Sequence, residues 1–395
     1  MEKEKSLMNR LVNRRSLFKT GAFAGGAVAL GAGLAGTATS VFANEGRSRV
    51  TSGDIAILTF LSALEQVEAD LWIQYAELGG ATTQGNSSPI DLPFKTGLAP
   101  DYITGLLVLD GDMPQYIADD TDDEISHHSF LNNYLESKGA KPIDLTSNFA
   151  HLPPSTVTGV PQNSRLTNLK QLTIETKFWT RYRSDSANPD LGGTFENAVP
   201  DLAKGQHPAI PVSDADLGVD GAGNISNHLQ AIAFTAGFHF AFIEQGGTSL
   251  YPTLAQNVTD LEVLRVLLSI GGSEIMHFQT WQDKAGNATN ITDGNLTFPK
   301  LNIGVDPNTG VASTDAANSF QTNLIMPEPT VFLDPKLGPV SIIRPTSIAQ
   351  GGAVASVASF AADGLFIDPA TGNNSGIVNE LMRLAEAADE ARRRF

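Results

Sequence analysis

Two short stretches of this chain put a carboxylate three residues ahead of an imidazole: Glu124-Ile125-Ser126-His127 and Glu274-Ile275-Met276-His277. On a helix, positions three apart share a face with Cβ atoms about 5–6 Å apart, so each pair can hold one metal ion or share one with a neighbour. A third stretch, Leu64-Glu65-Gln66-Val67-Glu68, repeats the spacing with Glu65 and Glu68 in an otherwise apolar run. A carboxylate buried there without a partner is costly, so an inward Glu wants a cation or a strong donor. The aromatic pattern from Glu65 to Trp72 puts Glu65 first among the ligand candidates of this stretch.

The elements that must position these residues are legible as apolar periodicity. The first helix is expected over about 54–78, with Ile55, Leu58, Leu61, Leu64, Val67, Leu71 and Tyr75 at helical spacing, Asp54 as N-cap and Gly79-Gly80 as stop. A short lead over 101–109 and a longer helix over about 113–137 follow. The third, about 225–245, is apolar almost all round, which marks a buried helix, and Gly246-Gly247 reads as its end. The fourth, about 260–284, carries Leu261, Leu264, Leu268, Ile275, Met276 and Trp281. Two helix pairs with short internal loops and a long link, here 140–224, make an antiparallel four-helix bundle with a crossover, within the span 44–286. A crossover of that length is functional or folded in its own right. Within it, 172–182 reads equally as strand or short helix. The last third, 287–395, is rich in Pro, Gly, Asn and Thr, is expected to wrap the bundle irregularly, and ends in a helix over about 375–392.

Two Glu-x-x-His pairs from facing helices, with one Glu from each of the other two, build a di-iron or di-manganese carboxylate site. Hard oxygen ligands and imidazole suit those metals. Helix three departs from this plan. It has no Glu near its middle, and its first polar candidates, His239 and Glu244, are five residues apart, about 140° around a helix. Either Glu244 serves from one turn further along or the site is incomplete; the adjacent Gly246-Gly247 favours a structural role for both. The acidic residues Asp119, Asp120, Asp122 and Asp123 read as the solvated first part of a helix, where negative charge is favoured. His128, about 100° from His127, is a neighbour rather than a ligand. Trp72, Trp179 and Trp281 read as packing residues, and Gly271-Gly272 as a place for close helix approach. Asp110-Gly111-Asp112 and the stretch from Asp306 to Gly310 are turns, since neither continues as a calcium-binding loop.

The first 43 residues read as an export signal. They hold Asn13-Arg14-Arg15-Ser16-Leu17-Phe18-Lys19, a weakly apolar stretch from Thr20 to Gly36 and Val41-Phe42-Ala43 as a cleavage site. The pattern resembles a twin-arginine signal, and its glycine-interrupted apolar part is too short and weak for a stable membrane anchor. The whole chain has 26 Lys+Arg against 43 Asp+Glu, a net charge of −17, and is more acidic still without that basic segment. Nucleic acid and anionic lipid are therefore poor partners. There is no cysteine, so an exported form relies on its core or on bound metal.

The segments LEQVEADLW, DEISHHSFLNNYLE, KFWTRYRSDSANPD, FHFAFIEQGG and SEIMHFQTWQDKAGN resemble the ferritin-like superfamily, and more closely its exported or stress-associated members related to plant desiccation-related and fungal stress-response proteins. The likeness runs from about residue 54 to the mid-280s. It implies metal held by Glu65 or Glu68, Glu124, His127, Glu274, His277 and, if helix three contributes, Glu244. It further implies redox chemistry on Fe(II) with O2, or on peroxide, in the periplasm or medium. Partners so implied are the twin-arginine export machinery and a second copy in a homo-oligomer. The alternative is a metal-free, degenerate scaffold serving as a non-enzymatic stress or envelope protein, which the missing polarity of helix three favours.

Overall fold

In the computed structural model, which describes residues 50–81, 92–181, 195–299, 301, 329–331, 333–342 and 352–394, nine α-helices account for most of the regular structure. The proposed export signal, the part of KFWTRYRSDSANPD beyond Arg181 and the turn from Asp306 lie outside the described residues. Helix α1 (Ser52–Gly79) starts on a capping box: Thr51 accepts from the Asp54 amide while Asp54 accepts from the Thr51 amide. The N-cap is thus Thr51, and Asp54 is the third residue in. A seven-residue helix α2 (Pro100–Leu106) leads into α3 (Met113–Ser137). Helices α4 (Thr146–Phe149) and α5 (Lys177–Arg181) are single turns in the crossover. Helix α6 (Asn227–Ala255) is capped by Ser226 and α7 (Leu261–Ala285) by Asp260. Helices α8 (Ala353–Ala362) and α9 (Ile377–Asp389) close the chain.

Helices α1, α3, α6 and α7 form the antiparallel four-helix bundle, with α1 against α3 and α6 against α7. Its middle is aromatic: Trp72 stacks on Trp281 and Phe240, with ring centroids 5.3 and 4.8 Å away. Helix α9 packs on α1, while α8 packs on α9 and α6. A hairpin, β1 (Ile291–Asp293) with β2 (Leu296–Phe298), pairs Ile291 with Phe298 and sets Phe298 against Phe234 and Phe238 of α6. Gly294 makes its turn with φ 56°, in the region that suits glycine. A second two-residue pair joins β3 (Thr330–Val331) and β4 (Pro339–Val340). Among the described residues no helix is long and apolar enough to cross a membrane.

Two expectations about the long helices need correction. Helix α6 runs through Gly246-Gly247 and past Pro252 to Ala255, ten residues beyond the expected end, because buried neighbours on both sides of the glycines override their low propensity. The apolar residues first assigned to the stripe of α7 include its exposed side: Leu261, Leu268, Ile275 and Met276 face solvent, while Val263, Val266, Leu267, Ile270, Phe278 and Trp281 are buried. Within 172–181, Leu172 makes an isolated bridge to His207 and Lys177–Arg181 forms α5, so the short-helix alternative holds for its second half.

The crossover is held down by buried charge. Arg165 meets Glu77 of α1 at 2.6 Å, and Asp70 of α1 accepts from the Leu166 and Thr167 amides and the Thr167 hydroxyl. Burial raises Asp70 and Glu77 above the usual carboxylate range, and Arg165 opposes that rise at both. Removing the guanidinium leaves buried Glu77 and half-buried Asp70 without their cation. Arg165→Ala should lower stability by about 3–5 kcal/mol, read as a shifted urea midpoint.

Candidate metal centre

All four bundle helices send acidic or imidazole side chains to one buried place. Helix α1 supplies Glu65, α3 supplies Asp120, Glu124 and His127, α6 supplies Glu244, and α7 supplies Glu274 and His277. They fall into two groups, Glu65, Glu124, His127 and Glu274 in one and Asp120, Glu124, Glu244 and His277 in the other. Within each, one candidate ligand atom per residue lies within 4.8 Å of all the others. In the first, His127 Nδ1 faces Glu124 Oε2 at 3.2 Å, Glu65 Oε2 at 3.3 Å and Glu274 Oε1 at 3.4 Å. In the second, His277 Nδ1 faces Asp120 Oδ1 at 2.9 Å, Glu124 Oε1 at 3.3 Å and Glu244 Oε2 at 3.4 Å. Glu124 belongs to both, turning one oxygen to each imidazole.

The neighbouring side chains fix these groups in place. The Trp72 indole donates to Glu244 Oε1 at 3.0 Å and the Trp281 indole to Asp120 Oδ2 at 2.5 Å. The Tyr251 hydroxyl donates to Glu65, and the Thr248 hydroxyl to the Glu274 carbonyl at 3.0 Å. On the outer side His277 Nε2 meets Asp123 Oδ2 at 3.2 Å, and His127 Nε2 lies 3.2 Å from the Ser273 hydroxyl. Outer partners of this kind orient an imidazole and fix its tautomer. Gly247 makes the room: a Cβ there would sit 2.1 Å from Glu274 Oε2. Gly271 lets α7 approach Tyr251, whereas Gly272 faces open space.

Of the sequence candidates, Glu65, Glu124, His127, Glu244, Glu274 and His277 come together. Glu68 is buried beside them and feels the charge of Glu65, Glu274, Glu124 and Glu244, but belongs to neither group. His239 lies outside both, with Nδ1 2.7 Å from the Tyr75 hydroxyl. Asp120, Trp72, Trp281 and Tyr251 were missed as site residues. The acidic run was read as a solvated helix start, yet it lies mid-helix in α3, and Asp120 is only 3% exposed. Its position four residues before Glu124, on the same helix face, is the signal that finds it. Tyr251 lies beyond the supposed end of helix three, and continuing the apolar pattern to Leu254 would have included it.

The charge balance tests whether the residues fit metal. Glu65, Glu68, Asp120, Glu124, Glu244 and Glu274 are all at most 3% exposed, against two imidazoles. Glu65 Oε2, Glu68 Oε1, Asp120 Oδ1, Glu124 Oε1, Glu244 Oε2, both oxygens of Glu274 and His277 Nδ1 are buried without a hydrogen bond. Buried polar atoms are normally paired, so this concentration of free lone pairs aimed inward is what a cation site leaves when only the protein is counted. Oxygen-rich, sulfur-free donor sets with one imidazole per group suit iron or manganese. The donors fit the metal pair.

Without a cation the group charges itself unevenly. Burial, with repulsion from Glu124, pushes Glu65 up to about 7, and burial with repulsion from Asp120 pushes Glu244 up to about 8. Glu68 and Glu274 rise well above the usual range, mainly through burial. Burial also acts to raise Glu124, but His127 and His277 outweigh it and hold this carboxylate well below its usual range. Burial works against charge on His127, yet Glu124 and Glu65 push it up to about 12. Glu244 and His127 therefore hold protons at neutral pH, and Glu65 does so in part, which a metal must displace. Affinity should rise as pH rises from about 6 to about 8, with proton release on binding, read by calorimetric titration in buffers of different ionisation enthalpy. In metal-free protein the sign is opposite for stability. The folded-state value of Glu65 lies above the ordinary value of 4.5, so stability from this group is lost as pH rises from there to about 7.

No family model, curated protein or solved structure matches this chain. A mainly helical domain with a four-helix-bundle core and paired Glu/His clusters is consistent with the broad ferritin-like superfamily. The two clusters are positioned as in its two-metal sites.

Proposed function

We propose that this protein is an exported ferritin-like protein that holds a di-iron or di-manganese carboxylate centre and uses it for redox chemistry with O2 or peroxide in stress protection. The observation that carries the reading is Glu124, whose two oxygens face two histidine-carboxylate groups in a buried place lined with unpaired acceptors. Glu65, Glu124, His127 and Glu274 would hold one ion, and Asp120, Glu124, Glu244 and His277 the other. When bound, such a pair supplies one-electron steps and open positions for a small oxidant. Burial, with repulsion from four neighbouring carboxylates, raises Glu68 well above its usual range and favours a proton on it beside the groups. Tyr251 fixes Glu65 by donating to it. Apolar packing closes the site except toward the side of His127 and Asp123, 11% and 34% exposed at their side chains, which suits a small oxidant and excludes a large organic substrate.

The alternative of an empty scaffold rested on helix three lacking an acid, and Glu244 in the second group removes that support. The N-terminal twin-arginine pattern supports export, and the segments quoted above support the stress-associated branch. Metal analysis of purified protein beside the double variant Glu124→Ala/Glu274→Ala tests the reading. The natural protein should carry near-stoichiometric iron or manganese and the variant little. Equal trace metal in both would end the proposal. Peroxide consumption and Fe(II) oxidation then separate the two redox activities.

A further inference from the structure

Around the open side of the centre the bundle turns large apolar side chains to solvent. Leu261, Leu268, Ile275 and Met276 of α7 and Phe130 of α3 are between 44 and 61% exposed. His127 lies beside Ser273 and Tyr134 beside Glu262, so the two helices run antiparallel and Phe130 stands at the level of Leu268. Phe130 and Leu268 therefore flank the mouth at His127 on one side, and Ile275 and Met276 flank it on the other. Leu261, Leu268 and Ile275 are seven apart, the spacing that keeps a stripe turned toward a partner helix. The bundle's own core does not use them, since Val263, Val266, Leu267, Ile270 and Phe278 fill that side of α7.

With about 200 Å² for a fully exposed large side chain, the five present roughly 500 Å² of apolar surface. The largest patch on a typical monomer is about 300–600 Å², and each partner in a standard interface gives about 800 Å². Charge selects the partner. The chain carries −17, so an acidic neighbour is repelled except where charge is missing. Between positions 268 and 279 the exposed residues of α7 are Leu268, Ser269, Gly272, Ile275, Met276 and Gln279, all uncharged. Toward the other end Glu262 is met by Lys138 at 2.6 Å. An anionic membrane is repelled by the net charge, and a basic partner finds no acid along this stretch of α7 to pair with. An uncharged apolar helix face suits another of the same kind, which a second copy brings; under two-fold symmetry one self-complementary patch serves both sides.

We propose that α3 and α7 form the interface of a two-fold dimer of this chain, and that each copy covers the mouth of the other's centre. The covering role rests on the two-metal reading above, whereas the dimer does not. On docking, the side of His127 and Asp123 loses its contact with bulk water, and the second copy supplies the wall that one bundle lacks. A bound ion then leaves only when the copies part.

Sedimentation velocity of the purified protein over a range of micromolar concentrations tests the interface. The natural chain should run as a dimer. Leu268→Glu/Met276→Glu sets four acids into the joint face and should weaken association by at least about 100-fold. Both side chains face solvent in one copy, so its thermal melt by circular dichroism should be kept. Phe130→Ser, on the other helix, should loosen the dimer by a smaller factor. Leu337→Glu, at a side chain 72% exposed elsewhere on the surface, should leave it intact. For the covering role, Mn(II)-loaded protein is mixed with excess EDTA, and the double variant should release its metal several-fold faster than the natural dimer. A monomer throughout, as a surface meant for another partner would give, overturns the interface. So does a dimer that survives the double substitution or that Leu337→Glu dissociates equally. Equal release rates from dimer and monomer overturn the cover. Protein that binds no metal ends the two-metal reading and the cover with it, while sedimentation still decides the interface.

Discussion

Glu124→Ala will empty both halves of the centre at once. Its two oxygens are 3.2 Å from His127 Nδ1 and 3.3 Å from His277 Nδ1, so one substitution removes a proposed ligand from each group. Loss of an outer partner alone weakens metal binding by about 10–100-fold, and loss of a shared inner carboxylate should exceed the upper figure. The variant should also show little thermal stabilisation on adding metal, whereas saturating metal at about 1,000 times its dissociation constant should stabilise the natural protein by about 4 kcal/mol. Glu68→Gln is the contrast. It removes an acid from neither group, so it should keep its metal. If Glu124→Ala kept half its metal, the shared role of this residue would be wrong.

Gly247→Ala will act nearly as strongly although it adds one methyl group and changes no charge. In a helix the exchange normally gains about 0.5–1 kcal/mol. Here the new Cβ would sit 2.1 Å from Glu274 Oε2 and 2.9 Å from its Cδ, so the whole carboxylate of a proposed ligand must yield. Overpacking of this kind costs about 1–3 kcal/mol. The carboxylate is expected to leave the first group, so metal occupancy there should collapse. Gly272→Ala meets nothing within 4 Å and should stabilise by up to about 1 kcal/mol with metal content intact. Similar metal contents in the two variants would refute the steric argument.

Much of this was readable in the sequence because the helices are long and their inward residues repeat at helical spacing. The Glu-x-x-His pairs needed only that spacing, and they face one another as expected. Helix three was misjudged for a physical reason. Gly246-Gly247 has the look of a stop, but its low propensity is outweighed by packing against Glu274 and Phe360, which only the folded chain brings near. That one misreading hid Tyr251 and made Glu244 seem marginal. Asp120 was hidden differently: four acids around it are what a solvated helix shows, and which of them turns inward depends on the phase of α3 against α7. The Arg165 clamp rests on contacts between residues far apart in the chain, and no local pattern announces it.

The two Glu-x-x-His pairs stand 150 positions apart, on helix hairpins that meet only after the crossover has been closed. Neither hairpin owns a complete group, since α1 and α3 lack Glu244, Glu274 and His277. Docking them without metal drives like charges into a dry space, which is an electrostatic brake on the last step of folding. Cations release that brake, so the refolding rate should climb with divalent metal concentration and level off at saturation. The protein would then reach its final form only where the metal it uses is present, and its assembly would serve as a check on its own loading.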